Sequence, residues 1–359
     1  MTQPLDVRTL PGAFTAYTVR GQGYFPVITG LGGQELAVVL RGGAGHVGVA
    51  GRLDVVRSSD GGRTWTAPVT AADSERDDRN PAFGVAPDGT LILAYHWQGS
   101  YNEKGEWDTS LNRQDTRIVY SSDRGKTWRD DGFLAFPALN GASPFGKILT
   151  HGKAMYMMLY AGPTIGVAPT TFRVGPATTP TYILKSTDNG CTWTDPVLVA
   201  VGLNESDLVI LPDGVWLFAA RSEQEGEQAI YLCRSDDEGR TWHLAGRITE
   251  QAEHPPDLTL LGNGWLLLTF GHRHPPYGVQ GIVSRDGGIT WDNRRLILDD
   301  GLPGGDSGYP STIRMENGRL VTVYYTAGTR EKQWEIYTAV DASCKVVGYD
   351  EKTLIEAFG

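Results

Sequence analysis

Ser58-Ser59-Asp60-Gly61-Gly62-Arg63-Thr64-Trp65 is the stretch that decides the fold, because the chain writes it five times. The other copies are Ser121–Trp128, Ser186–Trp193, Ser235–Trp242 and Ser284–Trp291, and all five obey Ser-x-Asp-x-Gly-x-Thr-Trp. Internal repetition of this kind means stacked supersecondary units, none of which can bury its apolar face alone. The eight residues also carry a turn mechanism. The Asp carboxylate accepts from nearby backbone N–H groups, Gly two residues on permits positive φ, and the Trp folds back to pack. The five Asp residues are therefore read as architecture and not as catalysts.

Between the copies, short apolar runs flank turn residues in register with the repeat. Ala82–Ala86 and Leu91–Tyr95 flank Pro87-Asp88-Gly89; Asp207–Leu211 and Val215–Ala220 flank Pro212-Asp213-Gly214; Ser311–Met315 and Arg319–Tyr325 flank Glu316-Asn317-Gly318. Asp-Gly and Asn-Gly between apolar runs are strong hairpin signals. Six such hairpins occur, and in the first five a third strand, the box and a fourth strand follow. This predicts an all-β chain, a single domain over 1–359 forming a six-bladed β-propeller of four-stranded antiparallel blades, with box turns in five of them. The sixth unit lacks the box. Trp334–Val340 is read as its third strand, and Asp6–Arg20 as the fourth strand that closes the ring.

Composition narrows the class. A formal charge of −10 argues against nucleic acid or an anionic membrane as partner. Three cysteines without metal-ligand spacing give no disulfide framework. The opening Met1–Asp6 shows no signal-peptide pattern and no apolar run is long enough to span a bilayer, so a soluble, cytoplasmic protein is expected.

Strand polarity turns this into a site. In an up-and-down blade the entry to strand one and the exit of strand two share one face, and the box turns lie on the other. Those entries and exits are crowded with Arg, His and carboxylates: Phe25, Arg41, Asp77, Asp78, Arg79, His96, Tyr160, Glu205, Arg221, His272, Arg273, Asp306 and Tyr309 among them. A scaffold alone has no use for such residues there.

The repeated octapeptide resembles the Asp box, or BNR repeat, of the sialidase (neuraminidase) superfamily, and the likeness covers nearly the whole chain. Asn204-Glu205, then Pro212-Asp213-Gly214, then Arg221 resembles the family segment carrying a catalytic Glu and a carboxylate-binding Arg. Gly308-Tyr309-Pro310-Ser311 resembles the segment bearing the Tyr nucleophile, and Arg41 another recurrent Arg. The resemblance implies a glycoside hydrolase with Tyr309 as nucleophile, Glu205 as its base, and no cofactor. The departures are specific. The family's aromatic-Arg-Ile-Pro stands here as Tyr24-Phe25-Pro26, and Gln280 stands near the expected third Arg, with Arg273 as substitute. The loop from Gly42 to Arg52, where the acid is usual, holds His46 but no carboxylate.

The acid is accordingly sought in Asp77, Asp78 or Asp306. Arg41, Arg79, Arg221, Arg273, His96, His272, Phe25 and Tyr160 are the candidates for substrate binding, the first four because a guanidinium fork suits a carboxylate or vicinal hydroxyls. His272-Arg273-His274 and His254 invite a metal reading, since His-x-His on extended backbone points both rings one way. No third ligand is assured, so hydrogen bonding to substrate is preferred and no metal is expected. Inserts Gln98–Arg117 and Ala161–Pro180 are the candidates for specificity loops or an oligomer contact. The expectation is an exo-acting glycosidase for a small glycan, acidic sugars included, and not an orthodox sialidase. A lyase acting on uronates and a non-catalytic sugar-binding propeller are the rivals.

Overall fold

A computed structural model describes residues 3–134, 139, 141–162, 171–329 and 341–358. The described residues are all-β apart from short helical turns and one helix, Glu351–Phe358. Each predicted hairpin forms. Unit one consists of Tyr24–Gly32, Glu35–Gly42, Arg52–Ser58 and Val69–Ala72, hydrogen-bonded in that order and antiparallel throughout. Four further units repeat the plan, starting at Asp77, Ser143, Leu203 and Glu253, and the units that begin at Asp77 and Ser143 join through a short parallel pairing of their first strands. The first strands pack side by side along the chain, and the last, Ser307–Arg314, packs against the first, Tyr24–Gly32.

Unit six differs from expectation in one strand. Its third strand is Ser343–Asp350, whereas the expected Trp334–Val340 lies outside the described residues. Val346 and Val347 lie between two strands there, paired with Ala16 and Thr15 on one side and with Val323 and Thr322 on the other. The fourth strand is Phe14–Arg20, contributed from the other end of the chain.

The boxes bond as their chemistry requires. In the first, Asp60 Oδ1 accepts from Thr64 N–H at 2.9 Å and Oδ2 from the Thr64 hydroxyl at 2.6 Å, while Ser58 Oγ accepts from Gly62 N–H at 2.9 Å. The other boxes repeat the Asp–Thr hydroxyl bond at 2.6–2.7 Å. Gly62 has φ +90°, and the equivalent glycines lie between +78° and +84°, a region that penalises any Cβ. Each box Trp then fills the seam between its own unit and the preceding one: Trp193 packs with Ile92 and Met157, Trp242 with Phe218 and Tyr156.

The seam between units five and six has no such Trp. The helix Glu351–Phe358 follows the third strand of unit six at the point where a box would stand, and its Leu354 and Phe358 fill that seam against Leu267, Val283 and Leu298. Arg285 and Arg294 donate to the carbonyls of Phe358 and Ala357, which occupies the helix's terminal acceptors. Arg314 grips Glu351 through Nε at 2.6 Å and Nη2 at 2.5 Å. Among the described residues, no helix is long and apolar enough to cross a membrane.

Candidate functional site

Five of the first strands carry the same irregularity near their entry. Two residues oppose one on the neighbouring strand: Phe25-Pro26 facing Leu40, Asn80-Pro81 facing Tyr95, Asn204-Glu205 facing Arg221, His254-Pro255 facing Gly271, and Tyr309-Pro310 facing Tyr324. Such bulges re-aim a side chain. Phe25, Asn80 and Tyr309 have φ of +51°, +48° and +52°, conformations that cost a non-glycine residue about 1 kcal/mol or more each. Five chemically unlike residues are thereby delivered to one place.

That place is a cleft of about 420 Å³ at the end of the molecule away from the boxes. Glu205 and Tyr309 meet there. The Tyr309 hydroxyl donates to Glu205 Oε1, and Arg221 Nη1 donates to Glu205 Oε2 at 2.6 Å. Burial drives the Tyr309 phenol well above its ordinary pKa and the Glu205 charge pushes it the same way, so the phenol is held neutral. Burial works against the charge on Arg221, but Glu205 together with Tyr309, Tyr160 and Glu223 outweighs it and keeps the guanidinium protonated.

A second chain of bonds faces the first. Asp306 Oδ1 accepts from the Tyr325 hydroxyl at 2.7 Å and lies 2.9 Å from His46 Nδ1. Burial raises the Asp306 pKa, yet His46, Arg273 and Tyr325 together hold it below the usual carboxylate range. His46 is pushed down by its own burial, more than its bond to Asp306 lifts it. Phe25 wedges between the two chains, with ring centroids 4.9 Å from His46 and 5.0 Å from Tyr309.

Three guanidiniums line the cleft: Arg79, Arg221 and Arg273. Arg273 donates from Nε to Gly305 O at 2.7 Å and lies over the Tyr309 ring at 5.5 Å. Arg79 sits 6.0 Å from the Phe25 ring and 5.8 Å from that of Trp107, which the Gln98–Arg117 insert brings to the rim. Among the described residues, Arg79 Nη1, Arg221 Nε and His254 Nδ1 are buried without a hydrogen-bond partner. Arg79 thus brings a guanidinium from unit two to the cleft beside Phe25.

Tyr160 also lines the cleft, accepting from Asn80 at 3.0 Å. Other candidates do not reach it. Arg41 is wholly buried and spent on Asp77, on the Asp78 carbonyl and on the Gly45 and Gly48 carbonyls, pinning the loop 42–51. Asp77 is held between Arg41 and the Tyr101 hydroxyl, 2.6 Å away. Asp78 accepts from the Ser74 N–H and hydroxyl at 2.7 and 2.8 Å. Burial raises the Asp78 carboxyl to about 6, a value fit for a general acid, but its position behind the cleft removes it from that role. His96 is buried behind the strand, and burial lowers its pKa to about 4. His272 turns away to bond Pro276 O at 2.8 Å. Asp257 lies below the cleft, paired with Lys147 at 2.8 Å, and Asp207 shares that lysine at 3.0 Å. Residues 163–170 of the second insert lie outside the described residues.

Sequence reasoning named His46 without giving it a role, and placed Asn80 and His254 at strand entries without counting them among the principal site residues. Asn80 and His254 had a signal: like Phe25 and Tyr309 they stand before proline at a strand entry. His46 is the sole titratable side chain in the loop 42–51. A larger groove of about 560 Å³ lies among Gly288–Trp291 and Ala245–Glu250, and none of these candidates lines it.

The family model for the BNR repeat-like domain matches residues 38–323. The chain belongs to that family. Within it, relatives point to the sialidase superfamily: a sialidase of Paraclostridium sordellii is 27% identical over 208 residues, 54% of this chain and 49% of that protein. A sialidase of Clostridium perfringens is 27% identical over 201 residues, 52% of this chain and 51% of that one. The BNR-repeat chain thus spans about half the length of these curated relatives. Among solved structures, a protein of unknown function from Dyadobacter fermentans superposes with TM-score 0.73 at 20% identity, covering 95% of this chain and 100% of that one. Trypanosoma rangeli sialidase, in complex with 2,3-difluorosialic acid as a covalent intermediate, superposes with TM-score 0.68 at 14% identity over 99% of this chain and 60% of its own. At these identities the superpositions speak for the fold of the BNR-repeat protein alone.

Proposed function

We propose that this protein is an exo-acting glycoside hydrolase for a small acidic glycan, built on a six-bladed propeller in which the last sheet seals the ring. The cyclic packing of the first strands and the sialidase-like structural neighbours favour that architecture. The observation that carries the activity is the Arg221–Glu205–Tyr309 chain inside a cleft with two further guanidiniums. Tyr309 attacks the anomeric carbon as a neutral phenol while Glu205 takes its proton, so no full negative charge approaches an acidic sugar. Arg79, Arg221 and Arg273 hold the substrate's carboxylate. Asp306 with His46 serves the leaving oxygen and then the incoming water. The replacement of an Arg by Phe25 at the centre of the cleft supports a substrate other than an ordinary sialoside.

The test is a panel of aryl glycosides of sialic acid, uronic acids and deoxy sugars, run on the wild type, Tyr309→Phe and Glu205→Gln. Turnover that both variants lose supports the reading. An unsaturated product absorbing in the ultraviolet makes the protein a lyase. Sugar binding that both variants retain, without turnover in the wild type, makes it a binding module.

A further inference from the structure

The alternation that turns Arg273 into the cleft turns its neighbours out of it. His272 and His274 project together on the outer side, with ring centroids 3.8 Å apart, and Glu253 meets them from the neighbouring strand entry. His272 Nε2 lies 3.8 Å and His274 Nε2 4.0 Å from Glu253 Oε1. All three ligand atoms fall within 4.8 Å of one another. These gaps exceed hydrogen-bond length. They are close to what a shared cation requires, since ligands at about 2.0–2.2 Å around a tetrahedral Zn²⁺ stand roughly 3.3 Å apart. Contractions of about 0.5 Å at His272 and about 0.7 Å at His274, within reach of side-chain rotation, bring both rings to that spacing from Glu253 Oε1.

The surrounding bonds prepare these atoms. His272 Nδ1 lies 2.8 Å from Pro276 O, which places the proton on Nδ1 and leaves the Nε2 lone pair toward Glu253. Glu253 is almost wholly buried, and its hydrogen bonds fall on the other oxygen: Oε2 accepts from Glu250 N–H at 2.8 Å and from Arg295 Nη2 at 3.1 Å. Oε1 is the oxygen turned to the imidazoles. The sequence offered two histidines and no third ligand; the fold supplies Glu253.

We propose that Glu253, His272 and His274 form a binding site for a divalent transition-metal cation of the zinc type, with a fourth position open to solvent beside the half-exposed His274. Two imidazoles and one carboxylate select such a cation over calcium or magnesium, which take oxygen ligands. Bound there, the cation ties the loop after Leu266–His272 to the entry of Glu253–Leu260. Arg273 is then anchored between two ligands with its guanidinium in the cleft, and His254 follows directly after the third. The site is independent of the glycosidase reading and stands if that reading fails.

The experiment is titration of chelator-treated, full-length protein with Zn²⁺ by calorimetry and with Co²⁺ by visible absorption. One Zn²⁺ per chain is expected, together with the intense Co²⁺ bands of a four-coordinate site. His274→Ala is expected to weaken Zn²⁺ binding at least tenfold and to bleach the Co²⁺ bands, its fold verified by circular dichroism. Zn²⁺ is expected to raise the thermal midpoint of the wild type and not of the variant. Glu253→Gln, which retains the acceptor for Glu250 N–H, repeats the test without removing a ring. Absence of stoichiometric binding, or binding equal in the wild type and both variants, overturns the proposal.

Discussion

Tyr309 and Glu205 stand 104 positions apart in sequence, and the phenol of one donates to the carboxylate of the other inside the cleft. In the proposed mechanism this buried, neutral phenol already donates to the carboxylate that would take its proton. Tyr309→Phe and Glu205→Gln are each expected to lower kcat on the best glycoside by about 10²–10⁴-fold, the range for removing a positioned proton acceptor. Because the two act as one unit, the double variant is expected to lose little more than either single one. Steady-state kinetics on the three variants measures this; strictly multiplicative losses would count against a shared step.

Arg79 and Arg41 look alike in the sequence and are expected to fail differently. Arg79 has a buried Nη1 that makes no hydrogen bond among the described residues and lies 3.7 Å from Asp77 Oδ2, so under the proposed function Arg79→Ala is expected to cost a charged contact to substrate, about 1.5–3 kcal/mol. That appears as a rise in KM of roughly 10–100-fold for an acidic sugar and little for its neutral analogue. Arg41→Ala strands the Asp77 charge in the interior instead, and a loss of about 3–5 kcal/mol in urea unfolding is expected.

His46 is the proton donor in the proposed mechanism only when charged. Burial lowers its pKa below the ordinary 6.5, so the imidazolium fraction falls as pH rises through that lowered value. The expected kcat/KM profile therefore climbs toward acid and declines as pH rises through that lowered value. His46→Gln is expected to flatten the decline while leaving the fold intact. A profile unchanged in that variant would assign the limb to another group.

Asp78 predicts a pH dependence of stability and not of rate. Its folded pKa is raised to about 6 from an ordinary value of 3.8, so the folded state binds this proton more tightly than the unfolded chain. The contribution is complete below pH ~4 and is lost as pH rises through ~6. Asp78→Asn removes that slope, and its thermal midpoint at pH 7 is expected to equal or exceed that of the wild type. The box residues work in the opposite sense. Asp60 and Asp237 are lowered to about 2 because hydrogen bonds from Thr64 and Thr241 outweigh burial, so their contribution disappears on acidification below pH ~4.

What could be read from the sequence was local. Each box is eight residues whose bonds close on one another, and each Asp-Gly or Asn-Gly hairpin needs only its own turn, so both survive without knowledge of the rest. Glu205, Arg221 and Tyr309 were legible for a related reason: strand direction alone sends their positions to one end. Asp77 and Asp78 pass the same test and fail in three dimensions. The loop 42–51 folds over them, with Gly51 O accepting from Asp78 N–H, and nothing in that glycine-rich stretch announces its path. The helix Glu351–Phe358 was missed because its Leu354 and Phe358 acquire meaning only at a seam made by units five and six. The third member of the proposed cation site was missed likewise, since Glu253 meets His272 only through the pairing of two strands.

The pairing of Phe14–Arg20 with Ser343–Asp350 has a consequence for biogenesis. During ribosomal synthesis the early strand emerges more than three hundred residues before its mate and must travel unpaired through translation of everything between. Its alternating exposed and half-buried side chains, Thr15, Tyr17 and Arg20 among them, suit that wait, since a polar edge resists sticking to other nascent chains.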